Sequence, residues 1–470
     1  MKKLYLSLVT VFVSSLGGAA WAFCGFYVSK ADSSLYNRAS QVAIARDGDR
    51  TILTMANDYQ GEAQDFAMVV PVPVPIEEGQ VRVGDPRVLD RLDAFSAPRL
   101  VEYFDSNPCD PPVPMMMEGA LMAPSAAGNG ARQSLADRAE LGVTVDASFS
   151  VGEYDIQILS ATDSNGLETW LNRNSYKIPA GASDLLRPYI RQNMKFFVAK
   201  VNLEAFDRSE FQKLRPLQIA YESPRFMLPI RLGMMNAQGE QDLLVYLLSP
   251  RGRIELTNYR TVNVPSDVEI PVFVKEEFGD FYRDMFETAH DRESKRVAFL
   301  EYAWNMANCD PCSADPLSYE ELKEAGVFWL DSPGSGSSRA PAPNPGFAPP
   351  FRGNPNVFIT RLHVRYSRET FPEDLMFQET GNTQQFQGRY ILRHAAQGDL
   401  SCEAGRQYQR DLVRRHTQEA QTLANLTGWD LGEIREKQPT IDINVTDPEP
   451  TPWWRNFWHN FRSSLTFWQA

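Results

Sequence analysis

The stretch from Val151 to Leu203 constrains the fold more than any other part of this 470-residue chain. Tyr154, Ile156 and Ile158 alternate with polar residues, a period of two that is typical of a half-buried β-strand. The segment from Lys195 to Leu203 has the same alternation. We therefore expect two strands that share one core, with helical structure between them.

A helix-capping sequence and a helical apolar stripe lie between these strands. Asn165 stands in a turn-rich cluster, and Glu168 follows three residues later, so we expect Asn165 to cap the next helix. Leu167, Trp170 and Leu171 have the spacing of one helix face. We interpret Trp170 as a core residue of that face and not as a platform for a ligand.

Further elements are predicted on both sides of this stretch. Asp47-Gly48 between two apolar runs predicts a tight hairpin. Asp85-Pro86 is expected to open a short helix. The segment from Glu276 to Asn308 is interpreted as largely helical, and Ser318 as the cap of a further short helix.

The first 22 residues have the pattern of a secretory signal. Lys2 and Lys3 precede an apolar run from Leu4 to Leu16, and Ala20-Trp21-Ala22 supplies the small residues that a signal peptidase reads. Cleavage after this tripeptide makes Phe23 the first residue of the mature chain. The pattern predicts export to the periplasm or the extracellular space.

Cys24 follows the predicted cleavage site directly, which raises the alternative of a lipid-anchored cysteine. A lipid-modified cysteine requires a small residue before it, and Phe23 is large, so we favour soluble export. No later apolar run reaches the length of about 18 residues that a membrane helix requires. The mature chain is therefore predicted to lack a transmembrane span.

Composition excludes one class of partner. The formal net charge is −13, whereas a nucleic-acid-binding surface needs excess basic residues to displace counterions from phosphates. We therefore expect no nucleic-acid partner. An apolar content of 43% is ample for a core, and the length indicates two or three domains.

Export makes disulfide bonds the expected state of the cysteines. The chain has five of them, so at most two intramolecular bridges form and one thiol is left over. Their spacing does not fix the connectivity. The candidates are Cys24, Cys109, Cys309, Cys312 and Cys402.

Cys309-Asp310-Pro311-Cys312 is the clearest candidate for chemistry. A redox C-x-x-C pair works because its first cysteine lies at a helix N-terminus, which stabilises the thiolate. The pair here follows one predicted helix, and the next helix begins only at Ser318. We favour a structural bridge, within the pair or to Cys109 or Cys402, and keep thiol redox chemistry as the alternative.

The histidines do not suggest a metal site. His290, His363 and His394 are not spaced as paired ligands, so we predict no metal and no cofactor. His363 lies between Arg361 and Arg365 on one face of a predicted strand. This cationic stripe either pairs with carboxylates of the protein itself or, as a weaker alternative, contacts an anion.

The C-terminus has an aromatic amphipathic pattern, preceded by Pro450 and Pro452. Its large apolar residues fall on one side of a helix, a pattern typical of helices that lie on a membrane surface or in a partner's groove. Docking on the protein's own core is the alternative. The residues predicted to make the contact are Trp453, Trp454, Phe457, Trp458, Phe461 and Trp468.

Several short motifs together resemble one family. The chain resembles the exported bacterial proteins grouped as domain of unknown function 2330, from about Cys24 to about Leu400. The resemblance implies export, and it brings no activity, substrate or catalytic residue. The motifs are Asp65-Phe66-Ala67, Val70-Pro71-Val72-Pro73, Val151-Gly152-Glu153-Tyr154-Asp155, Trp170-Leu171-Asn172, Tyr176-Lys177-Ile178-Pro179, Phe197-Val198-Ala199-Lys200-Val201, Pro229-Ile230-Arg231-Leu232, Thr257-Asn258-Tyr259-Arg260 and Asn308-Cys309-Asp310-Pro311-Cys312.

These observations predict an α+β protein. We expect a signal at 1–22, a main domain at 23–330, a linker at 331–355, a small β/α module at 356–447 and the aromatic tail at 448–470. Motifs for phosphate binding, dinucleotide binding, zinc peptidases and serine hydrolases are missing from the sequence. The leading hypothesis is a non-enzymatic envelope protein that binds or scaffolds a partner or the membrane surface. The alternative is a thiol redox protein or unrecognised enzyme that uses Cys309 and Cys312.

Overall fold

A computed structural model describes residues 20–21, 26–29, 36–60, 66–110, 142–174, 182–207, 214–235, 239–308, 310, 314–330 and 355–439. The chain is α+β and divides into two compact units. Unit 1 consists of Met1–Arg99, Ala120–Asp267 and Phe286–Arg389, and unit 2 of Leu100–Gly119, Val268–Met285 and Tyr390–Ala470.

Most of the strands belong to unit 1. In chain order they are β1 (Ala20–Trp21), β2 (Phe26–Ser29), β3 (Tyr36–Asp47), β4 (Arg50–Gln60), β5 (Phe66–Val72), β6 (Val81–Val83), β8 (Val143–Val151), β9 (Tyr154–Ala161), β10 (Lys195–Val201), β11 (Leu217–Glu222), β12 (Met227–Leu228), β13 (Gln241–Ser249), β14 (Ile254–Leu256), β15 (Arg260–Asn263), β17 (Val297–Asn305), β18 (Phe358–Tyr366), β19 (Leu375–Glu379) and β20 (Phe386–Gln387). The strands β7 (Arg99–Phe104), β16 (Val268–Ile270) and β21 (Arg389–His394) form a separate sheet.

Within the described residues the α-helices are fewer than the strands. They are α1 (Arg87–Ser96), α2 (Ser164–Arg173), α3 (Ala182–Arg191), α4 (Leu203–Asp207), α5 (Phe278–Arg292), α6 (Tyr319–Glu324), α7 (Glu403–Thr427) and α8 (Leu431–Lys437).

Two sheets packed face to face form the centre of unit 1. The larger has the order β15-β17-β18-β13-β3-β4-β11-β6, with β1 beside β13 and β20 beside β17. The smaller has the order β2-β5-β10-β9-β8. Alternate residues of both sheets fill the space between them, for example Ile44 and Val245 from the larger and Ile156 and Phe197 from the smaller.

Helices cover the outer face of each sheet, so unit 1 has four layers. On the larger sheet, Leu89 and Leu92 of α1 pack with Tyr246 of β13. On the smaller sheet, Leu171 of α2 and Leu186 of α3 are fully buried against the outward side chains of β9 and β10. Each sheet therefore buries both of its faces.

The predicted hairpin and central strands are confirmed. Asp47 pairs with Arg50 across the turn, and Gly48 has φ +58°, a conformation that L side chains rarely adopt. β9 and β10 pair antiparallel, with Ile158 opposite Phe197. Trp170 is partly buried and packs against the outer core of the smaller sheet, as its interpretation as a core residue requires.

The cap of α2 differs from the prediction by two residues. Asp163, and not Asn165, is the N-cap residue, and its side chain accepts a 2.7 Å hydrogen bond from the Gly166 backbone amide. Either side chain suits the position. The helix therefore begins at Ser164, two residues earlier than a cap at Asn165 would place it.

The prediction of a largely helical segment from Glu276 to Asn308 is wrong in its second half. α5 ends at Arg292, and the residues from Val297 to Asn305 form strand β17 in the larger sheet. Ser294 and Lys295 have positive φ and separate the two elements. The apolar residues of β17 are buried on both faces, so the alternation that marks a half-buried strand is absent from the sequence.

The structure also divides the chain differently from the predicted domains. β18 follows the predicted linker, yet it lies between β17 and β13 within the larger sheet. It pairs with β13 over nine residues, from Phe358 to Tyr366. The segment from 356 to 389 is thus part of unit 1, and the residues from Tyr390 onward belong to unit 2.

Unit 2 combines the three-stranded sheet β16-β21-β7 with α7 and α8. β16 and β21 are parallel, and the Asp105 amide donates to the His394 carbonyl just beyond β7. α7 contacts β16 and α8. The rings of Phe281 and Tyr390 pack edge to face at 4.8 Å, so unit 2 has an aromatic core of its own.

The layered arrangement of unit 1 predicts a difference between two neighbouring residues of α3. Leu186 is fully buried, whereas the Arg187 side chain is 48% exposed and pairs with Asp184. We expect Leu186→Ala to lower the free energy of unfolding by about 2–5 kcal/mol, and Arg187→Ala by about 0.5 kcal/mol or less. Urea denaturation measures both, and equal effects would contradict a core beneath α3.

Candidate functional site

A buried row of charged side chains crosses the larger sheet of unit 1. Arg361, His363 and Arg365 alternate along β18 and point to the face that α1 and α5 cover. The Arg361 and His363 side chains are only 6% and 12% exposed. Burial of so much charge is tolerable only where each charge is matched by another.

Three carboxylates supply the matching charges. Arg361 Nε donates to Glu301 Oε2 at 2.6 Å, and its Nη1 donates to Asp93 Oδ1 at 2.7 Å. Arg365 is bidentate with Asp242, at 2.7 and 2.9 Å. The cationic stripe predicted from the sequence therefore pairs with carboxylates of the protein itself. Contact of the stripe with an external anion stays a prediction, because both arginines already pair with carboxylates.

A β-bulge places Glu301 between two of the cations. Leu300 pairs with Leu362, but Tyr302 pairs with Arg361, so Glu301 is the extra residue of β17. A bulge re-aims the side chain of its extra residue. Glu301 is almost fully buried and contacts both Arg361 and His363.

His363 lies between two carboxylates. Its Nδ1 is 2.8 Å from Glu301 Oε1, and its Nε2 is 3.0 Å from Asp242 Oδ1. An ionised carboxylate only accepts hydrogen bonds, and a neutral imidazole has a single N–H. Both contacts are satisfied together only when His363 is the imidazolium.

The pKa values of this cluster follow from the pairing. Burial lowers the pKa of His363, but Glu301 and Asp242 outweigh burial and raise it. Burial raises the pKa of Asp242, but the hydrogen bonds and charges of His363 and Arg365 outweigh burial and lower it to about 2. With His363 protonated, the three cations balance Asp93, Asp242 and Glu301.

A charged cleft of about 520 Å³ lies in unit 2. Polar side chains reach it from four stretches that are distant in the sequence, and this convergence is typical of ligand sites. Three arginines and three carboxylates line it, so the described lining carries no net charge. The lining includes Asp105, Glu269, Arg393, Tyr408, Asp411, Arg414 and Arg415.

Asp105 connects the two sides of this cleft. It follows β7, and its Oδ2 accepts hydrogen bonds from Tyr408 Oη at 2.7 Å and Arg415 Nη1 at 2.6 Å, both on α7. Arg393 of β21 is held by Glu269 of β16, at 2.9 Å from Nε to Oε1. The positions of these groups are therefore fixed before any ligand arrives.

Arg415 also has nitrogens that donate no hydrogen bond to a described residue. Nε forms an ion pair with Oε1 of Glu419 at 3.4 Å without a hydrogen bond, and Nη2 is buried with no hydrogen-bond partner among the described residues. Burial, with the charges of Glu269 and Asp105, raises the pKa of Glu419 to about 7 against the opposing charges of Arg415 and Arg393. A buried guanidinium nitrogen without a hydrogen bond thus lies next to the cleft.

A second hollow of unit 2, about 270 Å³, has lining groups that contact one another. Lys437 Nζ lies 2.7 Å from Glu277 Oε1 and 5.8 Å from the centre of the Trp429 ring. Trp429 Nε1 donates to Asp284 at 2.7 Å. Glu277 and the Trp429 ring, which a cationic ligand would use here, already contact Lys437.

Two of the five cysteines form a disulfide bond. Cys109 and Cys402 are 293 residues apart and are bonded within unit 2. Cys402 is also the N-cap residue of α7, where its Sγ accepts a hydrogen bond from the Gly405 amide at 3.2 Å. A Cβ on Gly405 would collide with the Leu400 carbonyl oxygen and Cys109 Sγ, so this turn requires glycine.

The other three cysteines, Cys24, Cys309 and Cys312, lie outside the described residues. Because Cys109 and Cys402 are bonded to each other, neither is available to Cys309 or Cys312. Asp310, between them, accepts hydrogen bonds from Tyr302 Oη at 2.8 Å and Gln387 Nε2 at 3.0 Å. These two hydrogen bonds hold the Asp310 carboxylate against β17 and β20 of unit 1.

The aromatic tail is also outside the described residues, including Trp453, Trp454, Phe457, Trp458, Phe461 and Trp468. None of the helices within the described ranges has both the length and the apolar composition that a membrane crossing requires. In the same ranges, no three or more His, Cys, Asp or Glu side chains are grouped as a metal site would need.

Two of the motifs that resemble the family, Val151–Asp155 and Pro229–Leu232, make buried polar contacts. Glu153 is buried and pairs with Arg215, at 2.6 Å from Oε2 to Nη2. Asp374 Oδ1 accepts from the Ile230 amide at 2.9 Å and from Tyr189 Oη at 2.7 Å. The sequence does not identify Asp93, Asp242, Glu301, Asp374 or Glu419 as site residues, because isolated acidic residues have no distinctive spacing.

Comparison with known proteins gives one match. The sequence pattern of a family described as "Uncharacterized protein conserved in bacteria (DUF2330)" matches residues 18–378. The match includes the buried charge cluster of unit 1 and ends before α7. No curated protein and no solved structure matches the chain.

The protonated state of His363 predicts a pH dependence of stability. Its folded-state pKa is raised, so its stabilising contribution is full below the unfolded pKa of about 6.5 and is lost as pH rises through the folded pKa. We expect His363→Gln to cost about 1–3 kcal/mol of unfolding free energy at mildly acidic pH and less in alkaline solution. Urea denaturation across this pH range measures the difference.

His290 provides a control of opposite sign. It is buried in the same unit and its pKa is lowered, chiefly by burial. Its contribution is present above the unfolded pKa and is lost as pH falls through the folded pKa. A cost of His363→Gln that grows with pH, as His290→Gln is expected to show, would contradict an imidazolium at His363.

Proposed function

The chain belongs to the bacterial DUF2330 family, whose description assigns no activity, and we propose from its own residues that it is an exported, non-catalytic binding protein. The ligand contact is the charged cleft of unit 2, and the aromatic tail contacts the membrane surface or an envelope partner. The single observation that carries the proposal is Arg415, whose buried Nη2 has no hydrogen-bond partner among the described residues beside a cleft of about 520 Å³.

The cleft favours a small, uncharged ligand rich in hydroxyl groups. Its arginines and carboxylates balance, so a strongly charged ligand gains little net attraction. Nη2 of Arg415 can donate to an acceptor, and the carboxylates of the lining can accept from a donor. A hydroxyl group provides both functions at one atom, as the hydroxyl groups of a saccharide do.

Two features support export. The first is the signal pattern of residues 1–22. The second is the bond between Cys109 and Cys402, because disulfides form and persist chiefly outside the reducing cytosol. The leading hypothesis of a non-enzymatic envelope protein therefore stands as the proposal, with unit 2 as its binding part.

We expect Arg415→Met to weaken the binding of hydroxylated ligands. N-acetylglucosamine and glucose serve as probes, and saturation-transfer NMR or calorimetry of the full mature chain measures binding. A hydrogen bond to a charged group contributes about 1.5–3 kcal/mol, so the dissociation constant should rise about 10- to 100-fold.

Two further variants separate binding from folding. Arg415→Lys keeps a positive charge near Asp105 but lacks the extra guanidinium nitrogens, and it should weaken binding as well. Arg410→Met alters an exposed arginine of α7 that contacts Gln407 and does not line the cleft, so binding should be unchanged. If neither saccharide binds, or if Arg410→Met is as harmful as Arg415→Met, the proposed ligand contact is wrong.

The aromatic tail is tested by truncation. The full mature chain should float with phosphatidylcholine vesicles or retain an envelope protein in a pull-down, and a chain ending at Asp447 should do neither. Full-length protein with Trp454→Ser and Trp458→Ser is the matched control for the loss of aromatic residues alone. Equal behaviour of full-length and truncated protein in both assays would remove the tail from the function.

A further inference from the structure

We infer that the Cys109–Cys402 disulfide is a thiol-exchange site, at which an external thiolate attacks Cys109 Sγ and Cys402 leaves as the thiolate. This inference is independent of the ligand proposed for the cleft. It also moves the redox alternative from Cys309 and Cys312 to a different pair. The co-reactant is a low-molecular-weight thiol, or a dithiol protein of the same compartment.

The position of Cys402 decides which sulfur leaves. Cys402 is the N-cap residue of α7, which runs for 25 residues to Thr427. Its Sγ already accepts a hydrogen bond from the Gly405 amide, and free amides and the helix dipole stabilise a negative charge at this end. Exchange proceeds faster when the departing sulfur is the more stable thiolate.

Among the described residues, Cys109 Sγ accepts no hydrogen bond comparable to the one that Cys402 Sγ receives. It lies in the loop after β7, and its own amide donates to Asn107 Oδ1 at 2.9 Å. The charged groups beside the pair in the chain are Asp110 next to Cys109, and Asp399, Glu403 and Arg406 around Cys402. Glu403 is paired with Arg406 at 2.5 Å, and Asp399 accepts from the Ser401 amide and hydroxyl, so the two carboxylates around Cys402 are engaged.

Both cysteines are half-buried, so a small thiol can approach. The Cys109 loop also has anchors other than the disulfide. The Asp105 amide donates to the His394 carbonyl at 3.0 Å, and the Asn107 side chain donates to the carbonyls of Gln397 and Asp399. Because these contacts do not involve sulfur, the loop stays near α7 after exchange, and the original bond can form again.

The step balances without a further reagent. A thiolate RS⁻ forms a bond to Cys109 Sγ while the Cys109–Cys402 bond breaks, which yields a mixed disulfide on Cys109 and a thiolate on Cys402. A second RS⁻ then attacks the sulfur of R in the mixed disulfide, which releases RSSR and leaves Cys109 as the thiolate. Two electrons pass from two thiols to the protein disulfide.

Peptide mapping of the full mature chain tests the direction of attack. The folded protein is exposed briefly to glutathione near neutral pH, blocked with an alkylating agent and digested with trypsin, which separates the Cys109 peptide from the Cys402 peptide. We expect glutathione on Cys109 in about tenfold excess over Cys402, and alkylation of Cys402 about tenfold faster than that of Cys109 after full reduction. In concentrated urea both differences should disappear, since α7 is then unfolded.

Cys109→Ser and Cys402→Ser provide a second measurement on single thiols. The free Cys402 of the first variant should react faster with iodoacetamide than the free Cys109 of the second, and circular dichroism checks that each variant is folded. Glutathione on Cys402, equal rates for the two thiols, or reduction only after unfolding would each overturn the inference. The mapping of the wild-type chain decides the question even if one variant does not fold.

Discussion

The contact of His363 with both Glu301 and Asp242 is the constraint on which the larger sheet of unit 1 depends. Removal of two carboxylates from water costs several kcal/mol per ion unless cations and hydrogen bonds replace the water. β17, β18, β13 and α1 each supply at least one member of the cluster, so these four elements must be in register together. The bulge at Glu301 is part of the same requirement, because a regular strand would direct this carboxylate elsewhere.

Local structure was largely predictable from the sequence, while long-range placement was not. The turn at Asp47-Gly48 and the capping box of Ser318 depend on neighbouring residues only, and both are confirmed. The prediction of a helix where β17 lies was wrong because Val297, Leu300 and Trp304 fit a helical spacing as well as a strand. The strand is buried on both faces, so its sequence lacks the alternation of apolar and polar residues that would have identified it. The sequence predicts a separate module for β18 because its partner β13 lies more than a hundred residues away. Neither segment has a sequence pattern that identifies the other as its partner.

The candidate sites were also predictable only in part, because their residues come from distant segments. The alternation of Arg361, His363 and Arg365 predicted either carboxylates of the protein or an external anion beside them, and the structure places Asp93, Glu301 and Asp242 there. Their identity depends on strand register, which the sequence does not contain. The pairing of Cys109 with Cys402 and the convergence of Asp105, Glu269, Arg393 and Arg415 have the same origin, since each joins segments that only the folded chain brings together.

The interleaving of the two units has a consequence for biosynthesis. Unit 2 draws on Leu100–Gly119, Val268–Met285 and Tyr390–Ala470, and unit 1 uses the segments between them. During synthesis from the N-terminus, the larger sheet lacks β18 until most of the chain has left the ribosome, and unit 2 lacks α7 for longer still. Unit 1 is complete only when Arg389 has emerged and unit 2 only after α7, so the final packing of each is a late event in synthesis.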